Sequence, residues 1–415
     1  MSLGGAFEQG LGDCALYNGT TFAQKNIVSV VINYRLGILG YLASPSMKGN
    51  YGILDQRMAL QWTQANIRGF GGDPKRVTIA GQSAGAMSVG CHLTSKGSQG
   101  LFSQAIQESN PLALPYHERA SAAENAATVA EYLHCPEDDV ECLRTKSVEE
   151  ILDAQKNAVR LDFDNLFLNF LPFAPLVEPG GELPEQPFYS MANGNMVNVP
   201  SLQGSMYDEG QLFVYELFTK PMTEAKYKGM IRATFGAKNY DSIMKMYPFD
   251  VVPGSTDGRE ALNVLGTDLL FYCPLRNMTT GYQKALGKDT IPSFLYRFKH
   301  VISFDCWGEN YTFCVGKVCH GSELPFVFNV FTDGASVAYT PTTAEVQLTS
   351  DLSSAWANFI RTGDPNKGEF KLPVAFPQYD YNQDTLIVLD EPGMTTDSHI
   401  RDSYCDFWDS VGYFY

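Results

Sequence analysis

The chain is poor in the residues that most directly mark a partner. It has six His and 30 Lys+Arg against 46 Asp+Glu, a net charge of −16. Phosphate recognition draws on basic patches, so this balance argues against a nucleic-acid partner. An acidic surface mainly keeps a protein soluble. No run of about 18 apolar residues is present, so no membrane-spanning helix is predicted. The first residues, Met1-Ser2-Leu3-Gly4-Gly5-Ala6, have neither the basic nor the apolar stretch of a signal peptide. No C-x-x-C or H-x-x-x-H spacing occurs, which leaves metal binding without support. Low-complexity segments, internal repeats and linkers are absent too.

Apolar residues make up 44% of the chain and charged residues 18%, as in a folded globular protein. Its 415 residues leave room for two or three domains, or one large α/β domain. The nine Cys stand at 14, 91, 135, 142, 273, 306, 314, 319 and 405, an odd number that leaves at least one unpaired. Asn18, Asn277 and Asn310 each open an N-x-T glycosylation pattern.

Segments of strand and helix character alternate. Ile27 to Tyr34 is a nearly continuous β-branched run, which predicts a strand buried on both faces. Ile53 to Ile67 predicts a helix with Leu54, Met58, Gln61, Trp62 and Ala65 along one side. Val77 to Ala80, Leu101 to Gln107, Val199 to Gly204 and Phe294 to Phe298 are further strand candidates, and Ala84 to Leu93 a helix. This alternation implies a mostly parallel sheet covered by helices on both faces. Residues 117–195 read as a mainly helical insertion over it.

Gly81-Gln82-Ser83-Ala84-Gly85 fits G-x-S-x-G and lies between a strand and a helix, the setting a nucleophile elbow requires. Ser83 then needs a base to take its proton and an acid to orient that base. The histidines well downstream are His300, His320 and His399, of which His320 sits in a loop near cysteines. Asp208 and Glu209 follow a strand candidate, at the carboxyl edge where sites of open α/β sheets collect. Spacing does not choose between them. Oxyanion donors are expected from the Ala84 amide and from a Gly-rich loop, for which Gly4-Gly5-Ala6-Phe7 is the upstream candidate.

Together with Asn33-Tyr34-Arg35-Leu36-Gly37, Asn50-Tyr51-Gly52 through Asp55-Gln56, Gly71-Gly72-Asp73-Pro74, Trp356-Ala357-Asn358-Phe359 and Thr362-Gly363-Asp364-Pro365-Asn366, these residues carry a resemblance from Gly4 to Trp408. The chain resembles the type-B carboxylesterase/cholinesterase family of α/β-hydrolases. That resemblance implies one catalytic domain over 1–415 with the insertion at 117–195 above the site. It implies Ser83 as nucleophile, Glu209 as acid, His320 as base and the amides of Gly5, Ala6 and Ala84 as oxyanion donors. It further implies Ser109 as a support of the acid, Leu171 and Phe173 in the acyl pocket, and disulfides Cys135–Cys142 and Cys273–Cys405. Spacing adds Cys314–Cys319. No cofactor is expected, and the substrate would be a small ester.

Departures accompany the likeness. Cholinesterases carry Glu where this chain has Gln82, which weakens a choline-ester reading. Leu3 stands where the family usually has His, and the family's preceding strand is expected to be missing. The cysteines and sequons favour a secreted or endomembrane parent. The family also contains adhesion, storage and structural members without catalysis, and a shortened esterase could be inactive.

Overall fold

The computed structural model describes residues 1–2, 4–159, 166–287, 289–304, 306–332 and 338–414. Leu3 and part of the 117–195 segment thus lie outside the described residues. Six strands form one sheet in chain order: β1 (Thr78–Gln82), β2 (Gln104–Glu108), β3 (Ser201–Met206), β4 (Ser293–Phe298), β5 (Thr385–Leu389) and β6 (Met394–Ser398). β1 to β5 run parallel, and β6 returns antiparallel to β5.

Eight helices matter for the site: α1 (Tyr51–Asn66), α2 (Ala84–Thr94), α3 (Arg119–Tyr132), α4 (Val148–Asn157), α5 (Glu209–Leu217), α6 (Cys273–Leu286), α7 (Thr343–Thr362) and α8 (Asp402–Val411). Alternate strand residues feed two cores. Ile79, Ala105, Leu295 and Leu386 pack with Val89 and Leu93 of α2, Met278 and Tyr282 of α6, and Trp408 of α8. On the opposite face Ile106, Leu202, Phe294, Tyr296 and Ile387 pack with Leu352, Trp356 and Phe359 of α7. Burying each large apolar side chain contributes roughly 1.5–3 kcal/mol. This is the α/β-hydrolase arrangement, a mostly parallel sheet with helices on both faces.

α7 starts on a capping box: Thr342 accepts from the Glu345 amide and Glu345 from the Thr342 amide. A disulfide joins Cys273 of α6 to Cys405 of α8, and others join Cys135–Cys142 and Cys314–Cys319. All three expected pairings are present.

Two expectations need correction. Ile27 to Tyr34 forms no strand. A strand requires a ladder partner as well as β-branched side chains, and here the bonds are few: the Met1 amine donates to the Val30 carbonyl at 2.7 Å, and Ser2 makes one parallel bridge to Gly81 of β1. Between that segment and the sheet lies a cavity of about 240 Å³. The second correction concerns α1, whose predicted apolar side faces outward: Leu54 is 39%, Met58 68% and Trp62 47% exposed. The buried positions are instead Gly52, Ile53, Gln56 and Thr63. Polar bonds orient the helix, because Gln56 donates to Ser88 Oγ at 3.0 Å and its carbonyl meets His92 Nε2 at 3.0 Å, both on α2. An unpaired buried amide costs more than an exposed apolar stripe gains.

No described helix is long and apolar enough to cross a membrane.

Candidate active site

Ser83 stands between β1 and α2 with φ 59° and ψ −128°. This backbone conformation is costly for a residue with a Cβ and is held by the strand before it and the helix after it. The Ser83 amide donates to the Glu108 carbonyl at 2.9 Å, and its carbonyl accepts from Met87 at 2.9 Å. The tight turn explains Gly81, where a Cβ would sit 2.2 Å from the Gly85 carbonyl oxygen.

Glu209 opens α5 and is fully buried. Its Oε1 accepts from the Met206 amide at 2.7 Å and its Oε2 meets His320 Nδ1 at 2.6 Å. Of the two carboxylates left open by spacing, Glu209 is the one bonded to His320. Asp208 braces the histidine loop instead: its amide donates to the Val318 carbonyl and its Oδ2 accepts from the Val318 amide, each at 3.0 Å. The Cys314–Cys319 disulfide ends directly before His320. Of the other histidine candidates, His300 bonds to Glu345 at 3.0 Å and the exposed His399 pairs with Asp402 at 3.0 Å.

The fourth member of the group is Gln82. Its side-chain nitrogen lies 3.0 Å from His320 Nε2. With Nδ1–H directed to the Glu209 carboxylate, Nε2 carries the lone pair and the Gln82 amide donates to it. Among the described residues, the Ser83 hydroxyl has no hydrogen bond to His320. The imidazole of His320 is thus held by Glu209 on one nitrogen and by Gln82, the residue before Ser83, on the other.

Gly5, Ala6 and Phe7 have φ of 107°, 55° and 61°, so the N-terminal loop turns sharply. It lies against the elbow: a Cβ on Gly4 would be 3.1 Å from Ser83 Cβ. The amides of Gly5 and Ala6 donate to no described residue, and Ala84, first in its helix, has no intrahelical acceptor. Three donors are thus available close to the serine. Glu8, just beyond this loop, has its carboxyl pushed up to about 7 by burial.

Ser109 departs from its expected part. Its buried hydroxyl makes no hydrogen bond, whereas Glu209 is bonded by the Met206 amide and His320. Leu171 and Phe173 are buried in the cluster that also holds Phe7, Ala84 and Met87. Sequence reading missed Phe213 and Phe271, whose rings lie 4.9 and 5.3 Å from the imidazole of His320. Phe170 packs edge-on against Phe213 at 5.7 Å. Phe213 was within reach of a spacing argument, since it follows Glu209 by one helical turn. Phe271 belongs to no motif. Glu216, further along α5, is pushed up by burial, opposed by the Tyr311 hydroxyl and by His320.

Among the described residues, two His–carboxylate groups approach metal-ligand spacing, His300–Glu345–Glu391 and Asp384–His399–Asp402. Protein donors already serve both. Glu345 accepts from His300, Ser303 and Thr342, and Arg276 bridges Asp384 and Asp402. Of the glycosylation candidates, Asn18 and Asn310 are exposed. Asn277 is half-buried on α6 and bonded to Asp409, with Thr279 of its pattern fully buried.

The family model for the carboxylesterase family matches residues 3–408. The chain is 35% identical over 412 residues to the "Crystal protein" of Dictyostelium discoideum, covering 99% of this chain and 73% of that protein. It is 33% identical to an acetylcholinesterase of Bungarus fasciatus, over 98% of this chain and 67% of the relative. A solved PNB esterase structure superposes with a TM-score of 0.79 at 31% identity, covering 97% of this chain and 79% of its own. With the elbow, the acid–histidine pair and these matches in agreement, the chain belongs to the carboxylesterase family.

Proposed function

We propose that the protein is a serine carboxylester hydrolase acting through an acyl-enzyme on Ser83. The observation that carries this reading is the 2.6 Å bond between Glu209 and His320 Nδ1, in a chain whose serine occupies a strained elbow. In acylation Ser83 Oγ attacks the ester carbonyl and its proton passes to His320 Nε2. The oxyanion accepts from Gly5, Ala6 and Ala84, and Glu209 stabilises the imidazolium. The C–O bond to the alcohol then breaks, and the alcohol leaves with the proton from Nε2. Water, deprotonated by the same nitrogen, releases the acid and restores Ser83. Gln82 must yield Nε2 before the first proton transfer. Phe213, Phe271 and Phe170 are suited to apolar portions of a small ester, with Leu171 and Phe173 supporting them from the core. Residues 1–415 act as one catalytic domain, with 117–195 above the site. Three disulfides favour a secreted or endomembrane setting.

The test is incubation with short-chain p-nitrophenyl esters and an organophosphonate, with Ser83→Ala as control. Turnover and covalent labelling, both lost in Ser83→Ala, are expected. Turnover that persists in that variant would refute the mechanism. A second reading, a family member without catalysis, is favoured by the Gln82 contact on Nε2, where a hydrogen bond from Ser83 would be needed. A folded protein giving neither turnover nor labelling would select it.

A further inference from the structure

β4 carries a buried cation that the proposed ester chemistry does not use. Arg297 is 4% exposed and alternates with Leu295, on the sheet face that packs against α6 and α8. It pairs with Ser205 of β3 on one side and Val388 of β5 on the other. Residues paired across parallel strands point to one face, so the Ser205 hydroxyl and the guanidinium share it. The preceding pair lies on the opposite face, where a Cβ on Gly204 would run into the Tyr296 ring. The guanidinium carbon lies over the Tyr272 ring at 4.1 Å and over the Tyr207 ring at 5.2 Å. Tyr272 is buried, whereas Tyr207, directly after β3, is half-exposed.

The charge has aromatic faces but no counter-charge. Nε and Nη1 of Arg297 have no hydrogen-bond partner, and neither has the buried Ser205 hydroxyl. Among the described residues Arg297 forms no ion pair. Asp384, whose charge also reaches the Tyr272 hydroxyl, is engaged by Tyr379 at 2.8 Å and Arg276 at 3.7 Å. A guanidinium stays charged and brings only donors. Ring faces offset part of the cost of burying it, yet they leave an uncompensated charge inside the protein. An anion beside Arg297 would supply the counter-charge and accept from the free donors.

We propose that Arg297 and Ser205 form a binding site for a small monovalent anion of the halide class, reached past Tyr207. Guanidinium is weakly hydrated, and the ring walls offer no water to a bound ion. Anions that shed water easily therefore bind best, iodide and bromide ahead of chloride and fluoride. The site makes no use of Ser83, Glu209 or His320, so it stands or falls independently of the esterase reading.

Halides themselves are the probes. Chloride NMR of the protein in sodium chloride should show excess line broadening, displaced by iodide at lower concentration than by fluoride. The broadening should be lost in Arg297→Met, which keeps the length of the side chain and removes its charge. Ser205→Ala should weaken binding about 10-fold, the worth of one hydrogen bond to a charged group. Absence of broadening in the wild-type protein, or broadening unchanged in Arg297→Met, would overturn the site, and unchanged binding in Ser205→Ala would remove the serine from it. Should Arg297→Met not fold, anomalous scattering from wild-type crystals soaked in sodium bromide decides the matter. An ion in contact with the guanidinium and Ser205 Oγ is expected; bromide confined to the protein surface refutes the proposal.

Discussion

Replacing Glu209 by Gln tests the part of the site with the tightest geometry. The carboxylate is fully buried and accepts two hydrogen bonds, from the Met206 amide at 2.7 Å and from His320 Nδ1 at 2.6 Å. An amide of the same shape offers one oxygen and one NH₂ group. If its oxygen stays on Met206, the NH₂ faces Nδ1 and drives the proton to Nε2, where the lone pair is needed. If the oxygen turns to His320, the NH₂ opposes the Met206 N–H and leaves two buried donors facing each other, at about 1–3 kcal/mol. In both cases the charge opposite the imidazolium is gone. Removing one partner of a buried, hydrogen-bonded charge pair costs about 2–5 kcal/mol, which at about 1.4 kcal/mol per decade is roughly a 30- to 5,000-fold loss. The imidazolium forms only on the way to the transition state, so the loss should fall on kcat and leave KM nearly unchanged. Steady-state kinetics with p-nitrophenyl esters read the split, with circular dichroism to establish that the variant is folded. A folded Glu209→Gln protein with kcat within about 3-fold of wild type would refute the triad assignment.

Other expectations can be checked with the same protein. Gln82→Ala uncaps His320 Nε2 and should speed phosphonylation of Ser83 about 2- to 10-fold, the worth of one ordinary hydrogen bond; slower labelling would make Gln82 a helper of the base. Gly81→Ala forces a methyl to 2.2 Å from the Gly85 carbonyl oxygen, so Ser83 labelling should be abolished even if the protein folds, and wild-type labelling would refute the tight elbow. The Cys273–Cys405 disulfide spans 132 residues against 7 and 5 for the others. Chain entropy then predicts losses of about 5 kcal/mol for that one and about 2 kcal/mol for each short one when replaced by Ser pairs; equal shifts in denaturant midpoint would rule this ordering out. Glu345 is held down at about 2, because bonds from Ser303, His300 and Thr342 overcome the opposing effect of burial. A depressed carboxylate stabilises the fold above its ordinary 4.5 and stops doing so as pH falls toward 2. Glu345→Gln should therefore cost stability in melts at pH 6 and progressively less below pH 4.5; a pH-independent cost would contradict this.

What the sequence made legible was local. The strand candidates preceding Ser83, Ser109 and Glu209 overlap β1, β2 and β3, because buried parallel strands read as apolar runs. Thr385–Leu389 has the same character but no motif beside it to mark it, and β6, with four of its five residues exposed, has little apolar signal to read. Ile27 to Tyr34 failed in the opposite sense: its composition is right for a strand, but pairing depends on what lies beside it, which composition does not encode. α1 turned on Gln56 and its bonds to α2, a long-range term invisible to a count of apolar positions.

The candidate site divides in the same way. Ser83 was legible because an elbow imposes small residues at fixed offsets, and Gly81 and Gly85 are the trace of that constraint. Glu209 and His320 are 111 residues apart, and only the family resemblance chose them; Asp208 and Val318 are what hold their loops together. The residues that set the site's behaviour carry still less signal. Gln82 differs by one atom group from the Glu of cholinesterases, yet that difference turns an acceptor into a donor aimed at His320 Nε2. The motif thus identifies where acyl transfer would occur, and on the proposed mechanism its rate would depend on how readily one amide leaves His320, a property of the side chain that the G-x-S-x-G pattern leaves free.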